Sequence, residues 1–197
     1  APLVSRVRGR TFGIIGLGRI GTATALRAKA FGMNVLAYDP LVSRGTEIAV
    51  GVERRESLAE VLAISDVVSI HCPLTPETRQ MINATTLRQM KHEAILINTA
   101  RGGIVDTDAL IEALRSGVIA GAGIDVLPTE PPKADDEMMR TYAGRSEPLI
   151  GDRLIVTPHA AWSSPESVAD ARRLAVETAM LYLRDGKLRN LVNAPAR

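Results

Sequence analysis

Gly16-Leu17-Gly18-Arg19-Ile20-Gly21 follows one apolar run, and an acidic residue, Asp39, closes the next. Each glycine of this spacing has a use: Gly16 permits a tight turn, Gly18 lets backbone approach an anionic group, and Gly21 lets the following helix lie close to the strand. The start of that helix presents unpaired N–H groups to an anion. A carboxylate at Asp39 accepts hydrogen bonds from a ribose diol and repels a 2′-phosphate. Together these residues predict a dinucleotide site for NAD, with NADP the lesser alternative because Arg44 stands nearby. Three further sites follow later apolar runs: Asn98-Thr99-Ala100-Arg101-Gly102-Gly103, Asp125, and Thr157-Pro158-His159-Ala160-Ala161-Trp162. Arg101 can hold a carboxylate through two parallel hydrogen bonds, His159 can move a proton near neutral pH, and Glu130 can orient and charge the imidazole. That set suits the oxidation of a 2-hydroxy acid or the reduction of a 2-oxo acid. His71 and His92 lack such company and are assigned structural or surface places. Cys72 has no base beside it to make it a nucleophile, and is expected to line the cofactor pocket or to pack.

These residues need elements to carry them. Short apolar runs alternate with helical patterns, and no internal repeat interrupts them, which predicts an α/β fold with a doubly wound parallel sheet of the Rossmann type. Strands are expected over residues 11–15, 34–38, 67–70, 94–98, 120–126 and 154–156, with a small extra strand within 50–54. Helices are expected over 19–31, from a Ser57/Glu60 capping box to about 63, over 84–90 and over 107–116. A last helix starts at Ser164 as N-cap with Pro165 in its first turn and stops at Gly186. The expected strand order is 3-2-1-4-5-6, which places every candidate site at a strand's carboxyl end, where open α/β sheets bind ligands. Between 127 and 153 a long polar loop is expected, with Pro128, Pro131 and Pro132 in its first part.

Composition narrows the partners. Across 197 residues, 24 basic side chains face 22 acidic ones, a net charge of +2 without a block of like charges, so nothing points to nucleic acid or an anionic membrane. One cysteine excludes an internal disulfide, and no apolar run reaches the ~20 residues of a membrane span. A cytoplasmic setting is expected, with no metal. The length suits one substantial domain over residues 1–197, with 187–197 as an irregular tail. The chain opens at Ala1 and reaches its first strand within about ten residues, so a fragment or a processed chain is expected.

The motifs GLGRIG, AYDP with Asp39, HCPLT, NTARGGIVD, GIDV, TEPP with Glu130, and TPHAAW together resemble the D-isomer-specific 2-hydroxyacid dehydrogenases. The stretch ALRAKAFGMNVLAYDP and the run HAAW are most similar to the branch of that family that holds the C-terminal-binding-protein corepressors. The resemblance implies a catalytic trio of Arg101, Glu130 and His159. It implies cofactor contacts at Arg19, Ile20, Asp39, Cys72, Pro73, Thr78, Thr99, Ala100, Arg101, Asp125 and His159, beside the glycines Gly16, Gly18 and Gly21. It places Arg101, His159 and Trp162 by the substrate, a small 2-oxo or 2-hydroxy acid. It further implies a homodimer formed through this domain, a substrate domain largely absent from the chain, to which the 187–197 tail belongs, and little turnover by the chain alone. The same branch leaves a second reading open, an NAD(H)-sensing, dimerising corepressor-like interaction protein with little or no activity. Residues 133–153 form a longer excursion than in many members, expected to lie on the surface or to meet a partner.

Overall fold

Strands β1 (Thr11–Ile15), β2 (Asn34–Tyr38), β3 (Glu53–Arg54), β4 (Val67–Ile70), β5 (Ile95–Asn98), β6 (Gly121–Ile124) and β7 (Leu154–Val156) form a single parallel sheet of order β3-β2-β1-β4-β5-β6-β7. This is a computed structural model, and it describes residues 6–144 and 152–189. The order is the expected one, with the two-residue β3 counted as a strand of its own and β7 added beyond β6.

Alternation along the strands divides the core. In β1, Ile14 joins a cluster with Ala25 and Ala28 of helix α1 (Arg19–Ala30), while its neighbour Ile15 joins the larger cluster on the other face. In β2 the same rule sends Val35 and Ala37 to the α1 side and Leu36 to the opposite side. The larger cluster takes Val61 and Leu62 from α3 (Leu58–Ile64), Leu87 from α4 (Ala84–Leu87), and Leu110, Ile111 and Leu114 from α5 (Thr107–Arg115). A sheet buried on both faces leaves its carboxyl edge as the place for ligands.

Beyond an α4 that ends at Leu87 and not near 90, and a β6 shortened to Gly121–Ile124 from 120–126, three elements differ from expectation. The five-residue α2 (Thr46–Val50) is too short to show a helical period, and its ends are set by Gly45 and Gly51, both at positive φ. At α3, Ser57 accepts the Glu60 N–H as a cap should, but the Glu60 carboxylate takes the Ser57 hydroxyl at 2.9 Å and not the Ser57 backbone N–H of a full capping box. The third is α6 (Glu137–Gly144), within what the sequence reads as polar loop. Met138 of α6 is 1% exposed and belongs to the larger core cluster, so this excursion is anchored in the core and does not only lie on the surface. Residues 145–151 of it lie outside the described residues.

Contacts divide the chain into two units, residues 1–159 and 160–197. The second is built around α7 (Pro165–Asp185), capped by Ser164, which accepts the Ser167 N–H, and stopped by Gly186 at φ 64°. No residue of α7 is buried, and Val176, Met180, Tyr182 and Leu183 are exposed. Residues 187–189 of the tail carry neither helix nor strand, and 190–197 lie outside the described residues.

Candidate functional site

The glycine turn at the end of β1 has the fit expected of a phosphate cradle. Gly16 has φ 95°, and a Cβ there would stand 2.7 Å from the Cys72 backbone nitrogen. A Cβ on Gly21 would stand 2.0 Å from the Gly16 carbonyl oxygen, so α1 packs against the turn with no room for a side chain. Gly18 is different: its φ is −75°, and nothing lies within 4 Å of where its Cβ would be. The protein itself does not require glycine there, whereas a diphosphate lying on the turn would. As N-cap of α1, Gly18 has no side chain to cap the helix, and the first turn holds no acidic residue. The N–H groups that begin α1 are thus left for an anion.

Asp39, at the end of β2, does more than the sequence implies. Its Oδ2 accepts the Leu17 N–H at 2.8 Å, and its Oδ1 accepts the N–H groups of Leu41 and Val42. The carboxylate therefore ties the glycine turn to the β2 end, and Oδ2, which accepts a single N–H, keeps a second lone pair for a ribose hydroxyl. Arg44 is engaged away from it, 3.0 Å from Glu56.

After β4 come His71, Cys72 and Pro73. Burial pushes the Cys72 thiol up to about 11, with Asp39 adding to the effect, so the half-buried sulfur stays protonated and unreactive near neutral pH. Thr78, a contact implied by resemblance, donates its hydroxyl to the Pro73 carbonyl at 2.7 Å and closes the loop that carries Pro73.

His71 is a half-buried base whose Nε2 lies 2.9 Å from the Ser69 hydroxyl, and this partial burial lowers its pKa from 6.5 to about 4. The folded state holds it neutral, while the unfolded chain takes up a proton near 6.5. Its contribution to stability is therefore whole above about pH 6.5 and is lost as the pH falls towards 4, by up to about 3 kcal/mol. Urea midpoints at pH 7 and pH 5 are expected to show this loss, and His71→Gln to flatten it; equal slopes for both proteins would exclude His71 as the cause.

The β5 end carries Thr99, Ala100 and Arg101. Asn98, 1% exposed, accepts the Ala100 N–H and donates to the Arg101 carbonyl, both at 3.0 Å, so its amide shapes the turn that presents Arg101. The exposed Arg101 guanidinium donates to the Ala100 carbonyl at 2.6 Å and, among the described residues, forms no ion pair. A Cβ on Gly102 would stand 2.0 Å from the Leu127 carbonyl carbon, so the Arg101 turn lies backbone against backbone on the loop leading to Glu130. The double glycine of NTARGG is the sequence signal of that approach.

Glu130 and His159 meet as expected: Glu130 Oε2 lies 2.5 Å from His159 Nδ1, and Oε1 accepts the Leu127 N–H at 2.8 Å. Burial raises the Glu130 pKa, but the Leu127 N–H and the His159 ring outweigh it and hold the carboxyl below its ordinary value. An ionised carboxylate only accepts, so Nδ1 carries the proton and Nε2 is left to exchange one with a substrate. His159 has φ 51°, a left-handed conformation rare outside glycine, asparagine, aspartate and histidine. A cavity of about 520 Å3 opens beside the pair, walled by Leu127, Val156 and, from α6, Met139 and Tyr142. Sequence reasoning missed the α6 contribution, because these apolar residues sit among charged ones. Trp162 belongs to the second unit, is 56% exposed and gives its carbonyl to the Ser167 hydroxyl. No group of His, Cys, Asp and Glu that could hold a metal ion occurs among the described residues.

Residues 1–161 match the family model described as D-isomer specific 2-hydroxyacid dehydrogenase, NAD binding domain. The chain belongs to this family. It is 43% identical over 187 residues to a glyoxylate reductase of Korarchaeum cryptofilum, covering 95% of this chain and 53% of the relative. It is 40% identical over 188 residues to a D-3-phosphoglycerate dehydrogenase of Methanocaldococcus jannaschii, covering 95% and 34%. The NAD-complexed crystal structure of a D-isomer specific 2-hydroxyacid dehydrogenase from Lactobacillus delbrueckii ssp. bulgaricus superposes with a TM-score of 0.84 at 34% identity, covering 97% of this chain and 58% of that one. The chain thus spans about half, or less, of the length of these family members.

Proposed function

We propose that this chain is the NAD-binding part of an oxidoreductase that interconverts a D-2-hydroxy acid and its 2-oxo acid. The observation that carries the reading is the Glu130–His159 pair, seated on the same carboxyl edge of the sheet as the open glycine turn. When bound, the nicotinamide supplies or accepts the hydride at the substrate's C2. Arg101 holds the substrate carboxylate through its guanidinium. His159 Nε2 gives the C2 oxygen its proton in reduction and removes it in oxidation. Glu130 keeps the imidazole in one orientation and favours its charged form. Gly16, Gly18, Arg19, Ile20, Gly21 and Asp39 hold the diphosphate and ribose end, Cys72, Pro73 and Thr78 border it, and Thr99, Ala100, Arg101, Asp125 and His159 face the nicotinamide end. Trp162 is assigned to the substrate by the resemblance of HAAW alone.

Residues 1–197 form one NAD-binding domain in this reading, and the tail 187–197 belongs with a substrate domain elsewhere in the protein. The substrate is a small 2-oxo or 2-hydroxy acid. The relatives' names, a glyoxylate reductase and a phosphoglycerate dehydrogenase, support the class without selecting the member. They are names of oxidoreductases and lend nothing to the corepressor-like alternative; placement in that branch rests on ALRAKAFGMNVLAYDP and HAAW alone. The chain by itself is expected to turn over 2-oxo acids negligibly. A homodimer through this domain rests on the family resemblance alone. The setting in this reading is cytoplasmic; among the described residues no helix is long and apolar enough to cross a membrane.

Calorimetric titration with NADH and NADPH tests the reading. NADH is expected to bind about tenfold or more tighter than NADPH, and Asp39→Ala to weaken NADH and narrow that ratio. Unchanged selectivity in Asp39→Ala would remove Asp39 as its source, and no binding of either nucleotide by the whole protein would overturn the reading.

A further inference from the structure

We propose that Thr157 is a positioning residue, whose hydroxyl sets the Asp125 carboxylate and thereby joins the cofactor side of the site to the acid/base histidine. This rests on the roles proposed above for Asp125 and His159. Asp125 is 4% exposed, so its direction is set by what it bonds to and little by water. The Thr157 hydroxyl donates to Asp125 Oδ1 at 2.5 Å. Two backbone bonds run beside it: Thr157 N–H to the Ile124 carbonyl at 3.0 Å, and His159 N–H to the Asp125 carbonyl at 2.8 Å. The end of β6 is therefore fastened three times to the turn that carries His159.

Glu130 closes the circuit. One of its oxygens takes the Leu127 N–H, two residues beyond Asp125, and the other takes the His159 ring. Within this ring the backbone bonds hold the two segments together, and the Thr157 hydroxyl acts on the Asp125 side chain as well as on the turn. Threonine suits the task because its β-branch restricts χ1, so the hydroxyl keeps its aim. His159 sits at φ 51°, and such a conformation persists where its surroundings over-determine it, as these bonds do. A shift of Asp125 on meeting the nicotinamide end is transmitted to the histidine turn by way of the Thr157 hydroxyl, and the histidine's placement in turn constrains Asp125.

The test uses the whole protein with Thr157→Val, which keeps the shape and loses the donor, and Thr157→Ser, which keeps the donor. Binding of NADH and of ADP-ribose, which lacks the nicotinamide end, is measured together with turnover of a 2-oxo acid. Thr157→Val is expected to weaken NADH and lower kcat, each by about tenfold, with ADP-ribose affinity within about twofold of the unaltered protein. Thr157→Ser is expected to restore both to within about threefold. Should Thr157→Val not fold, Thr157→Ala removes the same hydroxyl with the same expected pattern. Unaltered NADH binding and turnover without the hydroxyl, an equal loss of ADP-ribose binding, or failure of Thr157→Ser to rescue would each overturn the proposal. Asp125→Asn separates the two levels: if it leaves NADH binding unchanged, the nicotinamide role of Asp125 fails, whereas if it weakens NADH and Thr157→Val does not, only the role of Thr157 fails.

Discussion

Replacing His159 with asparagine is expected to lower kcat for 2-oxo acid reduction by about 10²–10⁴-fold, the range a positioned general acid contributes, while NADH affinity stays nearly intact. Asparagine is the better probe than alanine. His159 stands at φ 51°, where asparagine is at ease and alanine is strained, so loss of the ring is separated from disturbance of the backbone. Asparagine also keeps a side chain within reach of Glu130 but cannot carry the proton. Steady-state kinetics on the whole protein, followed by NADH absorbance, would check this, and a fully active variant would remove His159 from the mechanism. Glu130→Gln should show the partner's share. Without a carboxylate 2.5 Å from Nδ1 the ring loses the partner that fixes its tautomer and orientation, so kcat is expected to fall by about tenfold or more with NADH affinity nearly unchanged. An unchanged kcat would mean that the ring holds its place without Glu130.

The parts of this site that could be read from the chain are those whose physics is local. β1, β2, β4 and β7 end where the apolar runs end, and the cap of α7 follows from Ser164, Pro165 and Gly186, because each signal acts on its own neighbours. The pairing of Glu130 with His159 was also legible, since an acid and an imidazole at neighbouring strand ends have few other partners of use. What could not be read depends on segments distant in sequence. That Asp39 must hold the Leu17 N–H follows only once β1 and β2 lie side by side. That Gly102 must be glycine because of the Leu127 peptide follows only from the crossing of two loops. The α6 helix was hidden for a different reason. Its apolar residues Met138, Met139 and Tyr142 follow Lys133, Asp135, Asp136 and Glu137, and eight residues give little more than two turns over which a period could show.

The glycines of the turn permit a second decisive experiment, because two of them are required by different neighbours. Gly21→Ala would put a methyl carbon 2.0 Å from the Gly16 carbonyl oxygen, a backbone atom that no side-chain rotation can move. Relief requires α1 to retreat from the strand, so the variant is expected to lose about 3 kcal/mol of stability and about 10 °C in Tm. Gly18→Ala meets nothing within 4 Å and keeps an ordinary φ of −75°, so its Tm should fall by no more than a few degrees. Its added methyl faces the space where a diphosphate would lie, and NADH affinity is expected to drop by about tenfold or more. Thermal melts and NADH titrations on both variants would therefore give opposite patterns, stability lost at one glycine and binding lost at the other. If Gly18→Ala binds NADH as the unaltered protein does, the diphosphate does not rest on this turn, and the carboxyl edge of the sheet would have to hold the nucleotide some other way.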